Sequence, residues 1–295
     1  MVEGNFDIYY EKEPEFVDPN PEPDPIEPNP AEPEPEEPQV GEIGGWKKEG
    51  DKWKYTKKDG QMAISEWLWL PVENSDEKVY KYFDREGNSI DQFYEETKDG
   101  ETKYYLSQSG PFKGYKKGWW TDPENNLVYY FRPATGSRVE GRQHIDGGWK
   151  FFRFKSGSQA FGWQYINRSW SYFDNTSGNQ VIGKWAWLKL MDGQYNWKYF
   201  DGRGINIDQF RKESAGVWLS QTGPEKSYYK GWWTDSSNGQ KYYFRTTSGS
   251  RVEGRQYIDG NWYYFRKGSG TQAFGKQYVD GVWRYYHDTL GREVR

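Results

Sequence analysis

Tryptophan side chains are the groups of this sequence best suited to recognise a ligand. The 295 residues include 17 Trp, 25 Tyr and 16 Phe, and aromatic residues make up 20% of the chain. A Trp face attracts a quaternary ammonium by about 0.5–2 kcal/mol, and the same flat, apolar face matches the CH-rich side of a sugar ring. Rings left exposed between structural elements would form binding cages; the alternative is that the same rings pack those elements together.

The sequence offers little for catalysis. Its only histidines are His144 and His287, and the repeat equivalent of His144 is Tyr257, so we expect surface or packing roles for both. Two carboxylate pairs recur, namely Asp84 with Asp91 and Asp201 with Asp208. Because Asp84 and Asp201 each follow a Tyr-Phe pair, we interpret these carboxylates as turn residues rather than as a glycosidase acid and nucleophile. With no cysteine, zinc-ligand spacing or phosphate-binding loop, we predict no catalytic residue, no metal and no cofactor.

An internal repeat organises the aromatic residues. The segment GWWTD at 118–122 returns at 231–235, a shift of 113 positions, and further upstream the shift is 117, from Trp46 to Trp163. These shifts define two long repeats and a partial third copy, which span residues 46–162, 163–275 and 276–295. A fixed internal period indicates an array in which each unit buries its apolar face against its neighbour.

The local pattern predicts short β-hairpins. Aromatic residues recur two positions apart, as in Trp53 and Tyr55, which places both rings on one face of a strand. Asp-Gly pairs two residues before a Trp predict type I′ turns at 146–147, 259–260 and 280–281. In the doublet Trp119-Trp120, one ring should face outward unless the next hairpin covers it. We therefore predict an all-β fold, a solenoid-like array of short, aromatic-rich β-hairpins.

The N-terminal part of the chain has a different composition. Ten of the 15 prolines lie between Pro14 and Pro38 and alternate with Glu, Asp and Asn. This composition predicts an extended, acidic linker over residues 14–40, whose Pro14–Pro38 stretch could span about 75 Å at about 3.1 Å per residue. It separates residues 1–13, which we interpret as the remnant of an upstream domain, from the repeat region at 41–295.

The charge balance narrows the class of partner. The first 40 residues hold 13 acidic side chains and one Lys, which leaves 39 basic and 31 acidic side chains in the repeat region. This mild basicity suits an anionic polymer such as teichoic acid, but the absence of basic runs argues against nucleic acid. No apolar stretch is long enough to span a membrane, and no signal peptide is visible.

The aromatic repeats resemble the choline-binding cell-wall repeats of streptococcal surface proteins and lysins. In that family a Gly-Trp opens the unit, a Trp-x-Tyr strand follows and a Gly-x-Met turn closes it, as do Gly45-Trp46, Trp53-Lys54-Tyr55 and Gly60-Gln61-Met62 here. A degenerate copy, without the Met, begins at Gly162-Trp163. Segment 254–265 is closer to the related glucan-binding repeats of streptococcal enzymes.

The resemblance implies a non-catalytic module outside a Gram-positive bacterium, or belonging to its phage. Such a module anchors a lytic enzyme or surface protein to envelope polymers, here choline-decorated teichoic acid or a related glycopolymer. The alternatives are a glucan-binding module of an extracellular glucosyltransferase-like protein and a host-directed adhesin. The candidate cage residues are Trp46, Trp53, Tyr55, Trp67, Trp119, Trp149, Trp163, Trp170, Tyr172, Trp185, Trp232, Trp262 and Trp283.

The N-terminal segment Val2–Tyr10 is similar to the closing strand of a lysozyme-type muramidase domain. Domains of that type are typically followed by a linker and wall-binding repeats. The similarity implies that the chain is the targeting part of a peptidoglycan hydrolase whose catalytic domain lies upstream.

Overall fold

The computed structural model describes residues 8–9 and 45–294, and every regular element among them is a β-strand. These residues form two compact units, an N-terminal unit of residues 45–160 and a C-terminal unit of residues 8–9 and 161–294. The predicted all-β array of short hairpins is confirmed. The linker at 14–40 lies outside the described residues, as does the muramidase-like segment apart from Ile8 and Tyr9. Within the described ranges, no helix has the length and apolar character needed to cross a bilayer.

The strands are short and follow one another as hairpins. Those of the N-terminal unit are β2 (Gly45–Glu49), β3 (Lys52–Thr56), β4 (Glu66–Pro71), β5 (Lys78–Phe83), β6 (Asn88–Ile90), β7 (Gln92–Lys98), β8 (Glu101–Ser107), β9 (Gly118–Thr121), β10 (Val128–Phe131), β11 (Gly141–Ile145) and β12 (Gly148–Phe152). Those of the C-terminal unit are β1 (Ile8–Tyr9), β13 (Gly162–Ile166), β14 (Ser169–Phe173), β15 (Lys184–Lys189), β16 (Tyr195–Phe200), β17 (Asn206–Ile207), β18 (Gln209–Glu213), β19 (Gly216–Ser220), β20 (Gly231–Thr234), β21 (Lys241–Phe244), β22 (Gly254–Ile258), β23 (Asn261–Phe265), β24 (Gly275–Val279), β25 (Val282–Tyr286) and β26 (Glu293–Val294).

The hairpins are antiparallel and most form small sheets of their own. The largest sheet lies in the N-terminal unit and has the strand order β2-β3-β6-β5-β4. In the C-terminal unit, β1 pairs in parallel with β13, on the edge of β13 that faces away from β14.

The Asp-Gly turns have the predicted geometry. Asp146 and Gly147 have φ values of 52° and 75°, and the other two pairs also have positive φ at both residues. A type I′ turn requires positive φ at both central positions, which Asp and Gly tolerate better than most residues. The prediction of type I′ turns at 146–147, 259–260 and 280–281 is confirmed.

Each core is built from the ring that ends the second strand of a hairpin. These rings are fully buried: Phe83, Phe131, Phe152, Phe173, Phe200, Phe244, Phe265 and Tyr286. In most of these hairpins a glycine with positive φ stands directly opposite the ring, as Gly162 (φ 70°) stands opposite Phe173. The opening glycine is therefore required by backbone conformation, since an L side chain is strained there.

Both rings of each Trp doublet are covered. Trp119 packs against Tyr130 and against Phe152 of the next hairpin, with ring centroids 4.9 and 6.0 Å away. Trp120 turns the other way and packs against Phe93 at 5.7 Å. The rings of the doublet thus join one hairpin to its neighbours on both sides, and coverage by the next hairpin is the alternative that the structure adopts.

Candidate functional site

Two pairs of tryptophans form right-angled corners, one in each unit. In the N-terminal corner, Trp46 of β2 and Trp53 of β3 have ring centroids 6.4 Å apart and ring planes at 89°. In the C-terminal corner, Trp163 of β13 and Trp170 of β14 are 6.2 Å apart, again at 89°. All four rings are half-buried, so each corner keeps part of its ring surface open to solvent.

The first ring of each corner is fixed from behind by aromatic packing. Trp46 lies 5.2 Å from Tyr55, which stands opposite it in the hairpin, and 5.7 Å from the buried Phe83. Trp163 has the same two neighbours, Tyr172 and Phe200. Tyr55, a predicted cage residue, is only 4% exposed and so supports the corner without presenting a face to a ligand.

A later loop of the same unit approaches the second ring of each corner. A Cβ atom at Gly110 would lie 2.7 Å from Cδ1 of Trp53, so a larger residue would displace that ring. Gly223 has the equivalent place, where a Cβ would lie 3.2 Å from Nε1 of Trp170. Phe112 packs edge-on against Trp53, with ring centroids 5.8 Å apart and planes at 75°. Each corner therefore has a loop as its third wall.

A buried lysine holds each loop in place. Lys81 and Lys198 are fully buried, and their ammonium groups donate hydrogen bonds to main-chain carbonyls of the loops. The acceptors are Gln108 and Lys113 for Lys81, and Gln221, Gly223 and Lys226 for Lys198. Burial lowers the pKa of both lysines to about 8, so both remain mainly charged at pH 7.

Three predicted cage tryptophans have a cation of this chain less than 5 Å from the ring centroid. The cation lies 3.9 Å from the ring centroid for Arg142 over Trp149, 3.8 Å for Arg255 over Trp262 and 4.8 Å for Lys276 over Trp283. Each cationic residue follows an opening glycine, the position that Trp46 and Trp163 occupy in the corners. In these hairpins one face of the ring is therefore occupied by a cation of the chain itself.

The remaining predicted cage tryptophans take part in ring packing within their own unit. A neighbouring ring centroid lies 4.9–5.3 Å away in each case, namely Tyr82 for Trp67, Tyr130 for Trp119, Tyr199 for Trp185 and Tyr263 for Trp232. These four rings therefore contribute to packing, and their role as cage residues stays a prediction.

Asp84 and Asp201 serve as turn residues, as predicted. The turn interpretation is wrong for Asp91 and Asp208, which accept hydrogen bonds from the main-chain N–H groups of Ser109 and Thr222 in loops distant in sequence. Asp84 Oδ1 accepts hydrogen bonds from the main-chain N–H groups of Glu86 and Asn88, at 2.9 and 2.7 Å. Burial acts to raise the pKa of Asp84, but these hydrogen bonds outweigh it and lower the pKa below its ordinary value. Asp201 is held in the same way by the N–H groups of Arg203 and Ile205. A carboxyl group held ionised by its own turn is poorly suited to act as a general acid.

The histidines have local structural contacts. His144 is exposed and lies edge-on to Trp149, 5.2 Å between ring centroids. Nδ1 of His287 accepts from the main-chain N–H of Thr289 at 3.2 Å. Both fit the expected surface and packing roles.

Sequence reasoning missed the third walls and the lysines that hold them. Gly110 and Gly223 are related by the 113-residue shift, and Lys81 and Lys198 by the 117-residue shift, each Lys inside a Lys-Tyr-Phe segment. Their recurrence in both repeats is a signal that could have marked them as structurally important. Their burial and contacts arise from loops that are distant in sequence from the corners.

A family model of known proteins matches one segment of this chain. Residues 139–185 match the family model of the choline-binding repeat, a segment that contains both tryptophans of the C-terminal corner. The comparison with curated protein sequences gave no match. For this segment, the sequence-based identification of a choline-binding type of repeat is confirmed.

Three of the solved structures similar to this chain come from Streptococcus pneumoniae. CbpJ is 21% identical over 84% of this chain and 92% of its own, with a TM-score of 0.45. Choline binding protein F, in the presence of a peptidoglycan analogue, is 21% identical over 85% and 92%, with a TM-score of 0.43. The modular autolysin LytC, in complex with a synthetic peptidoglycan ligand, is 18% identical over 85% and 52%, with a TM-score of 0.45.

Proposed function

We propose that this chain is a non-catalytic cell-wall-binding module that attaches to a Gram-positive envelope polymer through its two tryptophan corners. The observation that carries the proposal is the recurrence of the same right-angled Trp pair in both units, at 6.4 and 6.2 Å. Ring packing alone does not require a perpendicular pair that stays partly open at equivalent places.

The chemistry of the corners suits the small groups that decorate wall polymers. Two perpendicular indole faces can contact a quaternary ammonium from two sides, and each contact contributes about 0.5–2 kcal/mol. The match of residues 139–185 to the choline-binding repeat supports an ammonium ligand, such as choline-decorated teichoic acid. Two weak sites on one chain gain avidity on a polymer that repeats its ligand. In this function the chain anchors a lytic enzyme or a surface protein.

The test is a pull-down of the purified chain on intact Gram-positive cell walls and on walls stripped of teichoic acid. Trp53→Ala and Trp170→Ala should each weaken wall binding by about 3- to 30-fold, since each removes one face of a corner. Trp283→Ala is the matched control, because that ring is 61% exposed but lies under Lys276, and it should bind like the wild type. Circular dichroism verifies that each variant is folded.

Competition identifies the ligand class. Release by millimolar choline supports an ammonium ligand, whereas release by dextran supports the glucan-binding alternative. Binding to host protein but to no wall preparation would favour the adhesin. If both corner variants bind walls as tightly as the control, the corners are not the binding sites and the proposal fails.

A further inference from the structure

The two corners are built from equivalent positions but present different charges beside the second ring. In the N-terminal corner, Lys48 stands directly opposite Trp53, and its Nζ lies 5.8 Å from the Trp53 ring centroid. The equivalent residue of the C-terminal corner is the uncharged Tyr165, which stands opposite Trp170 with ring centroids 5.0 Å apart. At the position directly opposite the second ring, the N-terminal corner therefore has a cation and the C-terminal corner has an uncharged ring.

The third walls also differ in charge. The loop of the N-terminal corner presents Phe112, which is 54% exposed and contacts the ring of Trp53. The equivalent residue of the other loop is Glu225. A Cβ atom at Gly223 would lie 2.9 Å from Oε2 of Glu225 and 3.2 Å from Nε1 of Trp170, so the carboxylate and the indole border the same small space. A ligand seated against Trp170 would lie close to a negative charge.

Hydrogen bonds fix the main chain of the loop that carries Glu225. Lys198 fixes the main chain on both sides of Glu225, because its ammonium donates to the carbonyls of Gly223 and Lys226. The N–H of Gly223 donates to Oδ1 of Asn206 at 2.7 Å, a contact that is buried. Asn206 in turn is bonded to the carbonyl of Tyr199. Glu225 thus extends from a backbone that is anchored at several points.

We infer that Lys48 and Glu225 give the two corners different specificities. The C-terminal corner, formed by Trp163, Trp170 and Glu225, selects a cationic ammonium group. The N-terminal corner, formed by Trp46, Trp53 and Phe112, disfavours cations and takes the apolar face of an uncharged sugar ring. The inference rests on the proposed role of the corners as ligand sites, and it means that one chain recognises two chemically distinct groups of a wall polymer.

The difference in charge between the two corners is large enough to discriminate a cationic ligand from an uncharged one. Relative to the C-terminal corner, the N-terminal corner gains one positive charge and lacks one negative charge. A unit charge about 6 Å from a bound ammonium, partly exposed to water, changes its affinity about three- to tenfold. The effect is screened by salt, so it is measured at low ionic strength.

The experiment is calorimetric titration of the full chain with choline chloride and, separately, with an isomalto-oligosaccharide. We expect one choline per chain at the higher affinity. Glu225→Gln should weaken that choline binding about three- to tenfold and leave the sugar affinity unchanged. Glu101→Gln removes an exposed carboxylate next to the turn between β7 and β8 and should change neither.

A double variant tests whether these charges are sufficient for choline binding. Lys48→Tyr combined with Phe112→Glu gives the N-terminal corner the charges of the C-terminal corner. This double variant should bind two cholines per chain and lose sugar affinity.

The outcomes separate the two proposals. If Trp53→Ala and Trp170→Ala weaken wall binding but Glu225→Gln binds choline like the wild type, the assignment of specificity is overturned and the wall-binding function stands. If the Trp53→Ala variant loses choline binding as strongly as Trp170→Ala, the assignment is also overturned. If neither Trp variant weakens wall binding, both proposals fall.

Discussion

Replacing the buried Lys198 by Met should destabilise the C-terminal unit. The substitution keeps the length of the side chain but removes an ammonium group that donates to three carbonyls, two of them at 2.6 and 2.7 Å. A hydrogen bond from a charged donor contributes about 1.5–3 kcal/mol, so the three together contribute about 4–9 kcal/mol.

Burial of the charge opposes this contribution. The pKa of Lys198 is lowered to about 8 from 10.5 by burial, and at 1.36 kcal/mol per pKa unit this corresponds to a cost of about 3 kcal/mol. This cost offsets part of the contribution of the hydrogen bonds. In the variant, water can reach the part-buried carbonyls of Gln221 and Lys226, whereas that of Gly223 is buried and stays unsatisfied. We expect the free energy of unfolding to fall by about 2–4 kcal/mol.

The measurement is urea unfolding followed by tryptophan fluorescence and circular dichroism. Lys226→Met is the matched control, because it removes an exposed lysine from the same loop and should change stability by less than about 0.5 kcal/mol. An unfolding curve for Lys198→Met that superimposes on the curve of this control would refute the reasoning.

The pH dependence provides an independent readout. Because the folded-state pKa of Lys198 lies below its unfolded-state value, the burial cost is fully present at pH 7 and is relieved as the pH rises through 8. The wild type should therefore gain stability above pH 8, and the Lys198→Met variant should show a smaller gain. An equal gain in both proteins would mean that Lys198 is not the titrating group.

Further expected outcomes concern the packing, the loop wall and a surface carboxylate. Phe83→Ala should lower the free energy of unfolding by about 3–5 kcal/mol because the ring is fully buried. Phe112→Ala, at an exposed ring, should lower it by less than about 1 kcal/mol. Urea unfolding compares the two variants, and equal losses would contradict the assigned core. Gly110→Ala should weaken ligand binding at the N-terminal corner, because the new methyl group would contact Trp53 and the backbone φ of 80° strains an L residue. Unchanged binding in calorimetry would show that the loop does not form the third wall of this corner. The carboxyl of Glu49 should titrate by NMR with a pKa of about 2, since two lysines donate hydrogen bonds to it. Its stabilising contribution is complete above pH 4.5 and is lost as the pH falls towards 2. A titration at the ordinary value of 4.5 would show that the ion pairs do not persist in solution.

The sequence by itself determined the local architecture. Strands follow from aromatic residues two positions apart, and turns follow from Asp-Gly pairs whose backbone preference matches a type I′ turn. The internal repeat made Trp46 equivalent to Trp163 and Trp53 to Trp170, and these four residues form the two corners. These features could be predicted because they depend on neighbouring residues and on the period of the chain.

Only the tertiary structure decided how each ring is packed and how much of it stays open to solvent. Tyr55 is buried behind Trp46, and Trp149 lies under Arg142, although both fit the same sequence pattern as residues of the open corners. Whether a ring is open depends on what a distant segment places against it, as Gly110 and Phe112 are placed against Trp53. Aromatic side chains are suited equally to packing and to recognition, so their type and spacing cannot separate the two roles. Burial is a property of the folded chain as a whole, because it is set by contacts between residues that the sequence keeps far apart.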